Sequence, residues 1–247
     1  MLALPKVMGH RGVAGFAPEN TLVSMREAAK TGLHWVEFDV KLTSDKIPIL
    51  FHDDSLERTT GRKGMVADLP FSTMAELDAG SWFSPLFKGA EVPSFDQMID
   101  LALSLGLSIN VELKPSQGHA RETAEVSLSL LSRRWPSERE RPLISSFDRD
   151  CLEVARDGFP QWPRGLIVYR LPDDWAAALG ALGCSSFHIH HSLATRELVT
   201  AAKSMGMTVA CYTVNDKELA KQLFEMGIDC LITDDPIPLL KVADALF

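Results

Sequence analysis

Between Trp35 and Val40 apolar and acidic residues alternate, in the order Trp-Val-Glu-Phe-Asp-Val. Successive side chains on a strand point to opposite faces, so Glu37 and Asp39 share one face while Val36, Phe38 and Val40 occupy the other. The design returns at 108–114, with Asn110, Glu112 and Lys114 on one face and Val111 and Leu113 on the other. Further strand-like runs cover 6–10, 143–147, 165–169, 186–190, 208–212 and 230–233. Helical spacing covers 21–30, and Ser94-Phe95-Asp96-Gln97 has capping-box form and opens a helix to about 105. Asn215-Asp216-Lys217-Glu218 reads as a second capping box, and Pro236 suits the first turn of a last helix.

Thr43 to Lys46 is too short a link for a parallel crossover, so 47–52 is expected to run antiparallel to the Glu37 strand. That brings His52 back towards Glu37 and Asp39. Regularity is lost over about 54–93, a stretch too long for a structureless loop and therefore expected to be an inserted subdomain or lid. Its Trp82, Phe83 and Phe87 either cover a bound substrate or form the insert's own small core. With the hairpin strand set aside, about eight strand-then-helix units remain. The pattern predicts one α/β domain over 1–247, a (β/α)8 TIM barrel with an extra hairpin strand and a small insertion, with chemistry at the carboxyl ends of the strands.

Composition narrows the partners. With 46% hydrophobic residues, 247 residues suffice for one large core, and a formal net charge of −8 argues against nucleic acid, which needs a basic face. No apolar run reaches the roughly 18 residues of a membrane span, so no membrane insertion is expected. The first residues lack the features of a signal peptide, which makes a cytoplasmic location the expectation. Cys151, Cys184, Cys211 and Cys230 are scattered and are expected to be buried free thiols. The residues are silent on oligomeric state.

Two adjacent inward carboxylates repel and are costly to bury, so Glu37 and Asp39 call for a bound cation, a shared proton or basic partners. With Glu112 added, the set has the hard oxygen donors preferred by one divalent cation, Mg2+ or Ca2+. His188 and His190 also share a face, but imidazole suits zinc-like metals, and the pair is read as polar lining at the barrel end.

His10-Arg11-Gly12, Pro18-Glu19-Asn20-Thr21, Glu37-Phe38-Asp39-Val40, His52-Asp53, Arg58-Thr59-Thr60 and Val111-Glu112-Leu113-Lys114 together resemble the glycerophosphodiester phosphodiesterases. Ser145-Ser146-Phe147, Tyr212-Thr213-Val214-Asn215 and Thr233-Asp234-Asp235-Pro236 extend the match, in order, over nearly the whole chain. The resemblance is nearest to the cytoplasmic bacterial enzymes linked to glycerol 3-phosphate uptake. It implies metal-dependent hydrolysis of glycerophosphodiesters to sn-glycerol 3-phosphate and an alcohol, with Glu37, Asp39 and Glu112 on the metal and His10 and His52 as the acid and base. Either the substrate's glycerol hydroxyl or water is then the nucleophile.

Arg11 and Lys114 suit the phosphate, although Lys114 is equally placed to pair with Glu112. Tyr212, where many members carry Trp, and Trp82 are candidate pocket-lining residues. Asn20 and Thr21 are read as helix capping, and Arg58 and Thr59 as ties between insert and barrel. A barrel that only binds glycerophosphoryl ligands would have no need of both His10 and His52. Attack on membrane lipids lacks the basic amphipathic or strongly apolar surface segment it requires.

Overall fold

In the computed structural model, which describes residues 2–247, the acidic alternation becomes β2 (Trp35–Leu42), buried along its whole length. It pairs in parallel with β1 (Val7–Gly9) on one side and β4 (Ser108–Leu113) on the other. The ring continues through β5 (Leu143–Ser146), β6 (Arg164–Val168), β7 (Ser186–His190), β8 (Thr208–Tyr212) and β9 (Cys230–Thr233), and β9 pairs with β1. The result is a closed parallel barrel of eight strands, as expected for (β/α)8 architecture. β3 (Pro48–Leu50) lies outside the ring, antiparallel to β2 with Val40 opposite Leu50, the expected hairpin. Strand ends differ from the sequence reading by a residue or two because terminal pairs fray.

Helices α1 (Leu22–Lys30), α4 (Phe95–Leu105), α5 (Ala120–Arg134), α6 (Arg149–Gly158), α7 (Trp175–Ala181), α8 (Arg196–Ser204), α9 (Lys217–Met226) and α10 (Pro236–Leu246) follow the barrel strands. The outward side chains of β2 meet them: Phe38 packs on Phe95 with ring centroids 5.9 Å apart. On α4 the buried residues Phe95, Met98, Ile99 and Ala102 recur at helical spacing, and each of the larger ones contributes about 1.5–3 kcal/mol by leaving water. The Ser94 box forms: the Ser94 hydroxyl accepts from Gln97 N at 3.2 Å, and the Gln97 amide oxygen accepts from Ser94 N at 2.8 Å.

The second box does not form. Asp216 caps α9 by accepting from Leu219 N at 2.8 Å, whereas Asn215 is drawn to Asp234 by a hydrogen bond of 2.7 Å. Two adjacent capping-type residues left the sequence ambiguous, and the long-range bond decides between them.

The insertion contains two single-turn helices, α2 (Glu57–Thr60) and α3 (Phe71–Met74), and two 3-10 turns. It closes over a separate apolar cluster of Ile49, Phe51, Leu56, Val66, Met74, Ala79 and Val92. Ile49 and Phe51 belong to the hairpin, so hairpin and insert share one small core. Lys41, buried at the end of β2, pairs with Asp54 and ties the insert to the barrel. Trp82, Phe83 and Phe87 stay outside that cluster and form an edge-to-face ladder, with centroids 5.8 and 5.6 Å apart. Among the described residues all four cysteines are free and buried, and no helix is long and apolar enough to cross a membrane.

Candidate active site

At the carboxyl end of β1 the chain passes through two left-handed residues, Arg11 (φ 49°) and Gly12 (φ 88°). Gly12 is obligatory here, because a Cβ would lie 2.3 Å from the Ser24 hydroxyl. Arg11 pays the strain of a non-glycine residue in this region, which marks a backbone held for a purpose. The curl directs the Arg11 amide to Glu37 Oε2 at 3.0 Å and the Gly12 amide to the Glu37 carbonyl at 3.1 Å.

Register places Asp39 beside Glu112, and Glu37 stands one inward position below Asp39. The three carboxylates, all buried, offer oxygens within 4.8 Å of one another. Asp39 is clasped by Asn20, whose Nδ2 donates to Oδ2 at 2.8 Å while its Oδ1 accepts from Asp39 N at 3.1 Å. Asn20 is therefore a support for the acid, and Thr21 alone caps α1. Arg11 Nε lies 3.3 Å from Asp39 Oδ2. Lys114 Nζ donates to Glu112 Oε1 at 2.9 Å and lies 3.7 Å from Asp39 Oδ1, so both cationic side chains face the acids.

Burial raises the carboxyl pKa of Glu37, and the charges of Asp39 and Glu112 push it further up, with Arg11 opposing. Glu112 is likewise raised by burial, against the pull of Lys114. Asp39 is lowered, because Arg11, Lys114, His52 and the Asn20 amide outweigh its burial. Glu37 Oε1 is buried with no hydrogen-bond partner. A free buried oxygen amid clustered hard donors, in a group held uneasily as an anion, fits a divalent cation.

The two histidines flank this cluster, and each is anchored through Nδ1. His10 Nδ1 lies 2.6 Å from Asp234 Oδ1, and Asp234 Oδ2 accepts from Asn215 at 2.7 Å. Burial would raise Asp234, but the hydrogen bond and charge of His10, with Asn215, hold it below the usual range. His52 Nδ1 lies 2.5 Å from Asp53 Oδ1. Arg58 grips Asp53 at 2.7 and 3.0 Å, and its two terminal nitrogens each reach Glu19 at 2.7 Å. Asp53 falls to about 2, because these bonds overcome its burial. Glu19 also accepts from Arg11 at 2.6 Å, so a chain of charges joins the insert, the loop after β1 and the acid cluster.

Burial lowers the His52 pKa, as do Arg11 and Lys114, while Asp39 and Asp53 oppose. Asp234, Asp53, Glu19 and Arg58 were given no catalytic part by sequence reasoning. The signal was adjacency, Asp53 to His52 in the chain and Asp234 to the end of β9.

Across the mouth stand aromatic rings. The Tyr212 hydroxyl donates to the Val168 carbonyl at 3.0 Å, and its ring meets Phe147 edge-on at 5.9 Å and His190 at 5.7 Å. Tyr212 lines one small cavity with His10, Glu37 and Glu112. Trp82 lies on the insert, with its indole donating to Ala79 O at 2.8 Å and the Arg58 guanidinium 5.8 Å from its ring centre. His188 is not part of the barrel-end lining. It lies a layer below His190, almost fully buried, in space that a Cβ on Gly165 would occupy, 2.7 Å from Nε2. Among the described residues, neither histidine belongs to a metal-competent group.

Comparisons with known proteins give the chain's relatives. Residues 10–237 match the glycerophosphoryl diester phosphodiesterase family. A glycerophosphodiester phosphodiesterase of Caldanaerobacter subterraneus is 31% identical over 237 residues, spanning 96% of each chain. An Oleispira antarctica phosphodiesterase, solved with its product sn-glycerol 3-phosphate, superposes with a TM-score of 0.94 at 37% identity, over 98% of this chain and 97% of that one. A glycerophosphodiester phosphodiesterase of Thermotoga maritima, at 24% identity and a TM-score of 0.76 over 98% and 99% of the two chains, shares the fold. A closed barrel, an acidic triad at its mouth and a match from His10 to Ile237 converge: the chain belongs to the glycerophosphoryl diester phosphodiesterase family of phosphoric diester hydrolases.

Proposed function

We propose that the protein hydrolyses soluble glycerophosphodiesters, such as glycerophosphocholine or glycerophosphoethanolamine, to sn-glycerol 3-phosphate and an alcohol. In this reading Glu37, Asp39 and Glu112 hold one divalent cation, Mg2+ or Ca2+, and His10 and His52 act as acid and base. The observation that carries it is two imidazoles, each fixed through Nδ1 by a carboxylate at 2.6 and 2.5 Å, flanking a carboxylate cluster with a free oxygen. The bound cation supplies charge neutralisation and polarisation of a phosphoryl oxygen.

The remaining work falls to side chains. With Nδ1 engaged, each imidazole keeps Nε2 for proton exchange, and the anchoring carboxylate stabilises the imidazolium that forms when Nε2 takes a proton. Burial holds His52 towards the neutral form, suited to a base. Arg11 and Lys114 offset the charge of the phosphate. Three carboxylates, two cationic side chains and one divalent ion leave this inner group a single positive charge, which matches a phosphodiester monoanion. Tyr212 and Trp82 bound the pocket. Barrel and insert act as one domain, since the His52 anchor is held from both, and the four buried free thiols suit a cytoplasmic setting.

The test is release of sn-glycerol 3-phosphate from a panel of glycerophosphodiesters, with chelator and after adding back Mg2+ or Ca2+. Release that requires the cation is expected. Full turnover in chelator, or no release from any member of the panel, defeats the reading. Equal turnover on intact phospholipid vesicles defeats the restriction to soluble substrates.

A further inference from the structure

Around Glu37 the barrel interior is polar where packing alone would make it apolar. Asn110, paired in register with Glu37, is fully buried, and neither its Oδ1 nor its Nδ2 has a partner. His188, on the far side of the barrel, has its Nδ1 unpartnered, and Ser145, in register with Glu112, has a free Oγ. Leaving such groups buried and unsatisfied costs about 1–3 kcal/mol each, so orphaned atoms on three residues around one cavity, Asn110, His188 and Glu37, call for a partner. Gly165 makes room for the His188 ring, since a Cβ there would stand 2.6 Å from Ser186 Oγ and 2.7 Å from His188 Nε2. Asn110 and His188, with Ile167 and Ile232, line the same cavity of about 20 Å³ that His10, Tyr212, Glu37 and Glu112 bound at the floor of the active site. That volume holds a single water and nothing larger.

We propose that this chamber binds one structural water, and that Asn110 and His188 are positioning residues acting through it on Glu37. The inference rests on the reading of Glu37 as a metal ligand. One water suits His188 Nδ1, Glu37 Oε1 and Asn110 Nδ2, and its two hydrogens leave Asn110 Oδ1 unpaired. Ser186 Oγ lies 3.4 Å from the Arg164 carbonyl and 3.1 Å from His188 Nε2, so a hydroxyl donating to the carbonyl accepts from Nε2 and leaves Nδ1 an acceptor. One water then donates to Nδ1 and to one lone pair of Glu37 Oε1, leaving the other lone pair to the cation, while it accepts from Asn110 Nδ2. The Arg11 amide already fixes Oε2, so the water would fix the other oxygen and set the carboxylate plane. Outer partners of this kind typically change metal affinity by 10–100-fold.

The test uses the whole chain and Mn2+ as the probe, with calorimetric titration beside thermal melts in chelator and a high-resolution crystal structure of the metal-free protein. Density for a water within hydrogen-bond distance of Asn110, His188 and Glu37 is expected. Asn110→Leu should weaken Mn2+ binding by about 10–100-fold. Its melting temperature in chelator should hold or rise, because the buried amide is removed whole, together with the cost of burying it. His188→Gln, which retains a hydrogen-bonding end, should keep most of the affinity that His188→Leu loses. A dry chamber overturns the proposal, as does Asn110→Leu with parental Mn2+ affinity. If the parent itself binds no Mn2+, the metal reading fails and takes the positioning role with it, while the crystal density still decides the water.

Discussion

At the scale of residues, the site is organised by who holds whom. A histidine with one nitrogen tied to a carboxylate has a fixed ring plane and tautomer, and both His10 and His52 are so tied. His10→Ala and His52→Ala are each expected to lower kcat by about 10²–10⁴-fold while leaving Mn2+ binding near parental. Retention of full sn-glycerol 3-phosphate release by both variants would remove them from the chemistry. His188 makes a separate prediction about acid stability. Burial depresses its pKa from 6.5 to about 4, so between those values the unfolded chain binds more protons and stability falls as the pH falls. The full loss is on the order of 3 kcal/mol. Denaturant titrations of His188→Gln from pH 7 to 4 should show a smaller decline than the parent, and parallel curves would count against a buried neutral imidazole.

At the scale of elements, the hairpin and its insert deliver His52. Phe51 packs in the insert's apolar cluster, and its amide donates to the Asp39 carbonyl at 3.2 Å, so the neighbouring His52 is positioned by core and ladder together. Met74 is fully buried in that cluster. Met74→Ala should cost about 2–5 kcal/mol locally. It should raise protease sensitivity of the insert and lower kcat, with barrel circular dichroism unchanged. Loss of stability without loss of turnover would separate the insert from catalysis. On the outer ring, Ser94→Ala removes a cap and should cost about 1 kcal/mol with turnover intact, as measured by denaturant midpoint.

At the scale of the whole molecule, barrel closure gathers three buried carboxylates, and the repulsion between them, at the barrel mouth. Glu37 and Glu112 are raised above the usual carboxyl range, so lowering the pH protonates them in competition with a cation. The rise in melting temperature produced by Mg2+ or Ca2+ should therefore grow with pH above the ordinary glutamate range. In Glu37→Gln both the rise and its pH dependence should shrink. A metal-induced shift of equal size at all pH values, unaltered in Glu37→Gln, would place the ion elsewhere.

Much of this was legible along the chain. Alternation at 35–40 and 108–114 fixed which acids share one face, because strand side chains have a period of two whatever surrounds them, and the short link at 43–46 could make only a hairpin. Repeated strand-then-helix units sufficed for the barrel. Tertiary structure alone decided which neighbours hold those groups. Asn20 could cap a helix or clasp Asp39, Asn215 could cap α9 or hold Asp234, and His188 could line the mouth or sit beneath it. Local spacing is indifferent between such options, because a capping bond and a long-range bond use the same atoms. The choice falls to whichever partner the closed barrel brings within reach.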